Sequence, residues 1–308
     1  MKRDWRYWLR LLSVGLAGGI TLGYIVAIAI YVEATVRPAP SSLCCLTPDD
    51  INFNYETVTF TSEDKVTLSG WYIPSRNRAA VILLHGYGAN RLEMLTRAEF
   101  LARHGYGVLL YDLRGHGESG GTLRTNGWLD VQDVVAALGF LQSREDIDPH
   151  RLGILGFSVG GQVALRAAAQ NELLKAVGAD GPSLVKTVDA PLPNSLFEQI
   201  NPAITGVIDR VFEWRMGVTA PPGVVDAIPE IAPRAVLLIA TGQDIMEIRI
   251  AENYYEHASD PKTLWQILEA GHGGGLLARP AEYEQTVITF FNRSLLESKE
   301  SSQRLGNE

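Results

Sequence analysis

The longest apolar feature of the chain is Leu11–Val32, 22 residues without a charge. The pattern beyond it is different. Alternating Val58 and Phe60, then Val66, Leu68, Trp71 and Ile73, predict two strands joined through the Ser62-Glu-Asp-Lys65 turn. Short, mostly apolar runs follow at Ala79–Leu84, Gly107–Asp112, Arg151–Gly156, Leu174–Ala179 and Ala235–Ala240, the pattern of strands buried on both faces. Lys262–Leu268 adds an eighth strand. Segments of helical period separate these runs: Arg91–His104, Trp128–Ser143, Gln162–Gln170 and Arg249–Ala258. Strand and helix in alternation predict an α/β fold, a mostly parallel eight-stranded sheet with helices on both faces. Between about 181 and 233 the alternation breaks down into a segment rich in proline and aromatic residues, the expected cap over a site. The domain is expected over 54–297, and a polar tail occupies 298–308.

The N-terminal run is long enough to cross a hydrocarbon core of about 30 Å as a helix. Trp5, Tyr7 and Trp8 on one side and Tyr31 on the other suit interfacial positions. Lys2, Arg3, Arg6 and Arg10 precede it, and only Arg37 follows closely. The positive-inside rule therefore puts residues 1–10 in the cytoplasm and the domain on the extracytoplasmic side. The alternative is a cleaved signal peptide and a secreted domain. The run is longer than the usual apolar region of such a peptide, and Val32-Glu-Ala34 is a poor cleavage site. Residues 33–53 are expected as a linker, stiffened by Pro38 and Pro40. Cys44 and Cys45, the two cysteines, match no metal spacing and no disulfide framework, and are expected as unmodified thiols. A net charge of −8 argues against nucleic acid as a partner. Composition leaves the oligomeric state open.

The chemistry centres on Gly156-Phe-Ser-Val-Gly160, a Gly-x-Ser-x-Gly turn between a strand and a helix. Gly156 and Gly160 let the two elements approach while Ser158 is lifted at the apex. The Val159 N–H at the new helix start is a candidate oxyanion donor. His85-Gly86-Tyr87-Gly88 ends an earlier buried strand; its Tyr87 N–H is the second candidate donor, with His85 and Gly86 supporting the loop. Asp244 and His272 end the last two strands, and parallel strand ends line the crevice where ligands bind. Ser158, Asp244 and His272 are thus a candidate nucleophile, orienting acid and base. Asp180, at the tip of the sixth strand, is a rival acid. Gly115-His-Gly-Glu-Ser-Gly120 formally fits a dinucleotide pattern, but no helix starts from it and no acid follows at the required spacing. Asp112, Arg114 and His116 are expected to brace that loop.

These motifs, with Tyr111-Asp-Leu-Arg-Gly-His-Gly-Glu-Ser119 and Ala270-Gly-His272, resemble the α/β-hydrolase family, and most closely its prolyl-oligopeptidase-like and serine-aminopeptidase-like branch. The resemblance covers about Val58 to Leu296. Two departures stand out: Asp244-Ile-Met-Glu-Ile248 lacks the Val-Pro that often follows the family's acid, and Gly273-Gly-Gly275 makes the segment after the base flexible. The resemblance implies a serine hydrolase working without metal or organic cofactor on a small-molecule or lipid ester. The alternative is a peptidase reading, in which Asp189, Glu198, Asp209 or Glu213 of the cap would hold a substrate amine. A membrane-tethered binding protein without catalysis is a third reading. Serine at the elbow, where aspartate or cysteine would stand, disfavours a haloalkane dehalogenase or a dienelactone hydrolase.

Overall fold

The computed structural model describes residues 4–37, 43–193 and 196–297. Eight strands form one sheet in the order β1-β2-β4-β3-β5-β6-β7-β8, comprising β1 (Glu56–Thr61), β2 (Thr67–Ile73), β3 (Ala80–Leu84), β4 (Gly107–Tyr111), β5 (Leu152–Phe157), β6 (Leu174–Asp180), β7 (Ala235–Thr241) and β8 (Lys262–Ile267). β1 and β2 are antiparallel additions, and the pairings from β4 to β8 are parallel. The apolar runs are explained by cores on both faces. Ile82, Leu84, Leu109 and Ile154 point into one core, and Val81, Leu83, Val108 and Leu155 into the other. Each such aliphatic side chain contributes about 1.5–3 kcal/mol by leaving water.

Helices α1 (Trp5–Val36), α2 (Leu95–Arg103), α3 (Asp130–Gln142), α4 (Val159–Gln170), α5 (Leu196–Met216), α6 (Val224–Ala227), α7 (Ile245–His257), α8 (Gly275–Ala278) and α9 (Pro280–Phe291) complete the chain. α3, α4 and α7 pack on one face of the sheet, α2 and α9 on the other. The expected cap is partly regular: 21 of its residues form α5, whose Phe212 packs against Trp128. α7 begins at Ile245, four residues before the expected start, because Asp244 caps it by accepting hydrogen bonds from the Met246 and Glu247 N–H groups.

α1 departs from the expected span at its far end. Leu12, Val14 and Ile20 are 65–70% exposed, but Val32 and Val36 are buried against the domain. The helix therefore continues through residues expected to be linker. Their i,i+4 spacing turns Val32 and Val36 toward the domain, Arg215 of α5 pairs with Glu33 at 2.6 Å, and the Val36 carbonyl accepts the Arg124 N–H. Pro38–Ser42, the expected stiff piece, lies outside the described residues, as do residues 298–308. Cys44 and Cys45 are disulfide-bonded to each other, correcting the expectation of two thiols.

Candidate active site

The β5–α4 turn is built by close approach. A Cβ on Gly156 would lie 2.0 Å from the Gly160 carbonyl oxygen, and one on Gly160 would lie 2.4 Å from that of Leu84. No other residue fits either position. Ser158 adopts φ 53°, ψ −115°, a conformation an L-residue holds only when its surroundings impose it. Its N–H donates to the Asp180 carbonyl, and its own carbonyl accepts from Gly161, Gln162 and Ser183. The hydroxyl is left at the apex.

His272 follows β8 and turns Nε2 toward the Ser158 Oγ, at 3.1 Å. Its Nδ1 lies 2.6 Å from Oε2 of Glu247. The acid on the imidazole is therefore Glu247, not Asp244, whose Oδ1 is engaged at the helix start instead. Glu247 stands in the first turn of α7, where side chains lean back toward the strand tip. Its Oε1 accepts from the Thr241 N–H (2.6 Å) and hydroxyl (2.8 Å), so a buried carboxylate has partners for both oxygens. The hydrogen bond that His272 Nδ1–H donates to Glu247 is the main cause holding the His272 pKa above its ordinary value, against the opposing effect of burial. Gly181 makes room for the pair: its φ is +54°, and a Cβ there would lie 3.0 Å from His272 Cε1 and 3.1 Å from Glu247 Oε1. Gly273, at φ +73°, packs on Phe157, whose ring lies 4.9 Å from the imidazole, and the Gly274 N–H bonds the Gly271 carbonyl. The glycine run is thus a built turn leading into α8.

Asp180, the rival acid, accepts from Arg97 Nη2 (2.5 Å) and the Tyr283 hydroxyl (2.8 Å), and sits under the site without touching the imidazole nitrogens. Across the crevice, the Gly86 N–H donates to Glu93 and the Gly88 N–H to His116 Nε2. The Tyr87 N–H between them is bonded to none of the described residues. Val159 opens α4, so its N–H has no acceptor within the helix. His85 is fully buried; Nδ1 meets the Gly86 carbonyl and Nε2 accepts the Leu113 N–H, which ties the β3 tip to the β4 tip. Burial pushes its pKa down to about 4, so it is a neutral brace. Asp112 accepts from Arg91 and from the Glu118 N–H, and Arg114 pairs with Asp133 and Asp64, so that loop is braced from both sides. Among the described residues no cluster of three or more His, Cys, Asp or Glu could hold a metal ion.

Comparison with known proteins agrees with this architecture. A family model described as serine aminopeptidase, S33 matches residues 75–214. An esterase of Pyrococcus furiosus, Pf2001, superposes with a TM-score of 0.67 at 28% identity, over 85% of this chain and 98% of its own. Among sequence relatives, the uncharacterized protein YfhR of Escherichia coli O157:H7 is 27% identical over 252 residues, covering 78% of this chain and 81% of its own. The thiohydrolase aneE of Aspergillus aculeatus is 28% identical over 159 residues, half of each chain. With the sheet order and the strand-turn-helix elbow, these matches define the class: the chain has the α/β-hydrolase fold. Within it, the chain is a hydrolase of the esterase and serine-aminopeptidase type.

Proposed function

We propose that the chain hydrolyses carboxylic esters through a covalent acyl-enzyme on Ser158. The observation that carries this reading is the continuous line from Glu247 through His272 to the Ser158 hydroxyl, at 2.6 and 3.1 Å. His272 Nε2 takes the hydroxyl proton as Oγ attacks the ester carbonyl, and a new C–O bond forms to Ser158. Glu247 holds the imidazole with its proton on Nδ1 and stabilises the imidazolium. The Tyr87 and Val159 N–H groups receive the negative oxygen of the tetrahedral intermediate. Its collapse breaks the ester C–O bond, and the departing alcohol takes the proton from His272. A water molecule, deprotonated by the same imidazole, then releases the carboxylic acid and restores Ser158.

The peptidase reading draws support from the description of the matched family, but the cap supplies little for an amine clamp. Asp189 is buried and accepts the Val185 and Val225 N–H groups; Glu213 pairs with Arg210 and accepts the Ala220 N–H. Asp209 likewise has a partner, and the Glu198 side chain lies outside the described residues. The ester reading is therefore preferred. We further propose that α1 is an uncleaved anchor with the domain on the extracytoplasmic side. The burial of Val32 and Val36 supports this, because cleavage near Ala34 would remove part of the domain's own packing.

The experiment is a panel of p-nitrophenyl acyl esters against aminoacyl nitroanilides, run on the wild type and Ser158→Ala. Ester turnover abolished in the variant is the expected result. Preference for the nitroanilides would turn the assignment to a peptidase, and failure of a folded wild type to label with a fluorophosphonate would favour a non-catalytic protein.

A further inference from the structure

Outside α1, exposed large apolar side chains are distributed unevenly over the domain. Leu192 and Trp214 follow β6, Ile245 and Met246 follow β7, and Leu268 and Leu277 follow β8. All six therefore lie on segments that leave the carboxyl edge of the sheet, the edge that carries Ser158 and His272. Leu192, Trp214 and Leu277 are 80–86% exposed. Among the described loops that enter strands at the opposite edge, only the one before β1 carries an exposed large apolar residue, Leu46. A cleft of about 1120 Å³ opens there instead, with His150, Arg151, Lys175, Asp148 and Glu172 in its lining. One edge is oily and the other charged.

α1 leaves the domain at the oily edge. The Tyr87 hydroxyl, on the loop beside Ser158, donates to the Thr35 carbonyl at 2.7 Å. Tyr31, the aromatic residue at the end of the uncharged span, precedes Thr35 by one helical turn, about 6 Å along the axis. Leu11 to Tyr31 itself measures about 30 Å as a helix, one hydrocarbon thickness. The helix is continuous to Val36, where the Arg124 N–H and the Glu33–Arg215 ion pair pin it to the domain and to α5. No flexible spacer is interposed, so the rim of the site lies within a few ångströms of the plane where hydrocarbon ends.

We propose that the domain rests on a phospholipid bilayer with the carboxyl edge of its sheet against the lipid, and that its substrate is a membrane-resident ester whose long acyl chain passes from the bilayer over the apolar rim to Ser158. The proposal rests on the anchor and ester-hydrolase readings above. It narrows them to a lipid ester and assigns the exposed rim a partner. A bilayer fits that rim because it accepts scattered apolar side chains on several loops without the shape complementarity a protein partner would need, and because the spanning helix already delivers it there.

The full-length protein, with Cys44→Ser and Cys45→Ser, is reconstituted in phosphatidylcholine vesicles and spin-labelled singly at Leu192→Cys, Leu277→Cys or Lys175→Cys. Collision with oxygen and with a water-soluble nickel chelate is read by electron paramagnetic resonance. The expected result is oxygen-rich, chelate-poor labels at 192 and 277 and the reverse at 175. Labels at 192 and 277 as open to the chelate as that at 175 would overturn the orientation. The same protein is assayed on a vesicle-embedded palmitoyl umbelliferyl ester and on soluble p-nitrophenyl acetate. Leu192→Glu with Leu277→Glu should lower the ratio of the two rates by about tenfold, since charge on the rim weakens its insertion; an unchanged ratio would refute the route from the bilayer. Rim labels in lipid with neither ester hydrolysed would uphold the orientation while ending the esterase reading, so the two failures are distinct.

Discussion

Glu247 Oε2 stands 2.6 Å from His272 Nδ1, although Asp244 is the acid that directly ends the preceding strand region. The two acids divide the work of one helix start. Asp244 satisfies the first free N–H groups of α7, and Glu247, three residues on, reaches back past the strand tip. Replacing Glu247 by Gln keeps the shape and removes the charge; kcat is expected to fall by about 10²–10⁴. Asp244→Ala should instead lose a helix cap, about 1 kcal/mol of stability, with kcat changed by less than about tenfold. Steady-state kinetics and thermal melts on both variants check the division. Equal kinetic damage from the two would contradict it.

On the proposed mechanism, the protonation of His272 is expected to set the acid limit of activity. The base works only when neutral, so kcat/KM should fall as the pH drops through its pKa. Glu247 stabilises the protonated ring, which places that inflection above the ordinary histidine value of 6.5. In Glu247→Gln the inflection should move to lower pH even as the plateau drops. A pH–rate profile of the two proteins measures the shift, and an inflection that stayed in place would show that another group controls the limb.

His85 predicts a second, separate pH effect, on stability. Its folded pKa of about 4 lies below the value near 6.5 expected in the unfolded chain. Between those values the unfolded state binds a proton that the folded state refuses, so stability is full above about pH 6.5 and declines as the pH falls toward 4. The burial that causes the shift is complete, and the effect amounts to about 3 kcal/mol across the window. His85→Gln should be less stable at pH 7.5 yet lose less on acidification. Melting temperatures from pH 7.5 to 4.5 would reveal a parallel loss in both proteins if the reading were wrong.

Gly181 offers a test of the space around the base. An alanine there must hold φ near +54° and place its methyl about 3 Å from the imidazole. A cost of about 1–3 kcal/mol is expected from the backbone alone, with His272 displaced from Ser158. Activity should fall at least about tenfold while fluorescence and circular dichroism remain native-like. Wild-type turnover in Gly181→Ala would mean that the ring has room the geometry denies.

On the proposed mechanism, the Ser158 hydroxyl is expected to be the most sensitive position. Ser158→Ala should reduce kcat by about 10⁴-fold or more and abolish fluorophosphonate labelling without altering the melt. Residual turnover near wild type would remove the covalent mechanism.

Much of this arrangement is legible in the linear chain. Apolar runs such as Ala79–Leu84 and Ala235–Ala240 can only be strands covered on both faces, and the alternation of strand and helix dictates a parallel sheet. Gly156 and Gly160 around Ser158 announce the tight turn because no side chain fits where they stand. The acid is less legible, for a local reason. The strand-end position favours Asp244, and the helical period places the start of α7 four residues after Ile245. The pattern Asp244-Ile-Met-Glu247, an acid at a helix cap with a glutamate three residues on, is a first-turn signature that could have found Glu247. Likewise, Val32 and Val36 continue the apolar character of the span, and nothing local distinguishes a residue in lipid from one buried against a protein.

The order of residues alone therefore determined the fold class, the tight turn at Ser158 and the presence of a span-length apolar helix, because each depends on period, on glycine or on length. Which acid meets His272, how Gly181 clears the imidazole, and where α1 docks were decided only by the folded chain. Those outcomes depend on side-chain direction and on distances between elements far apart in sequence, quantities that no local pattern encodes.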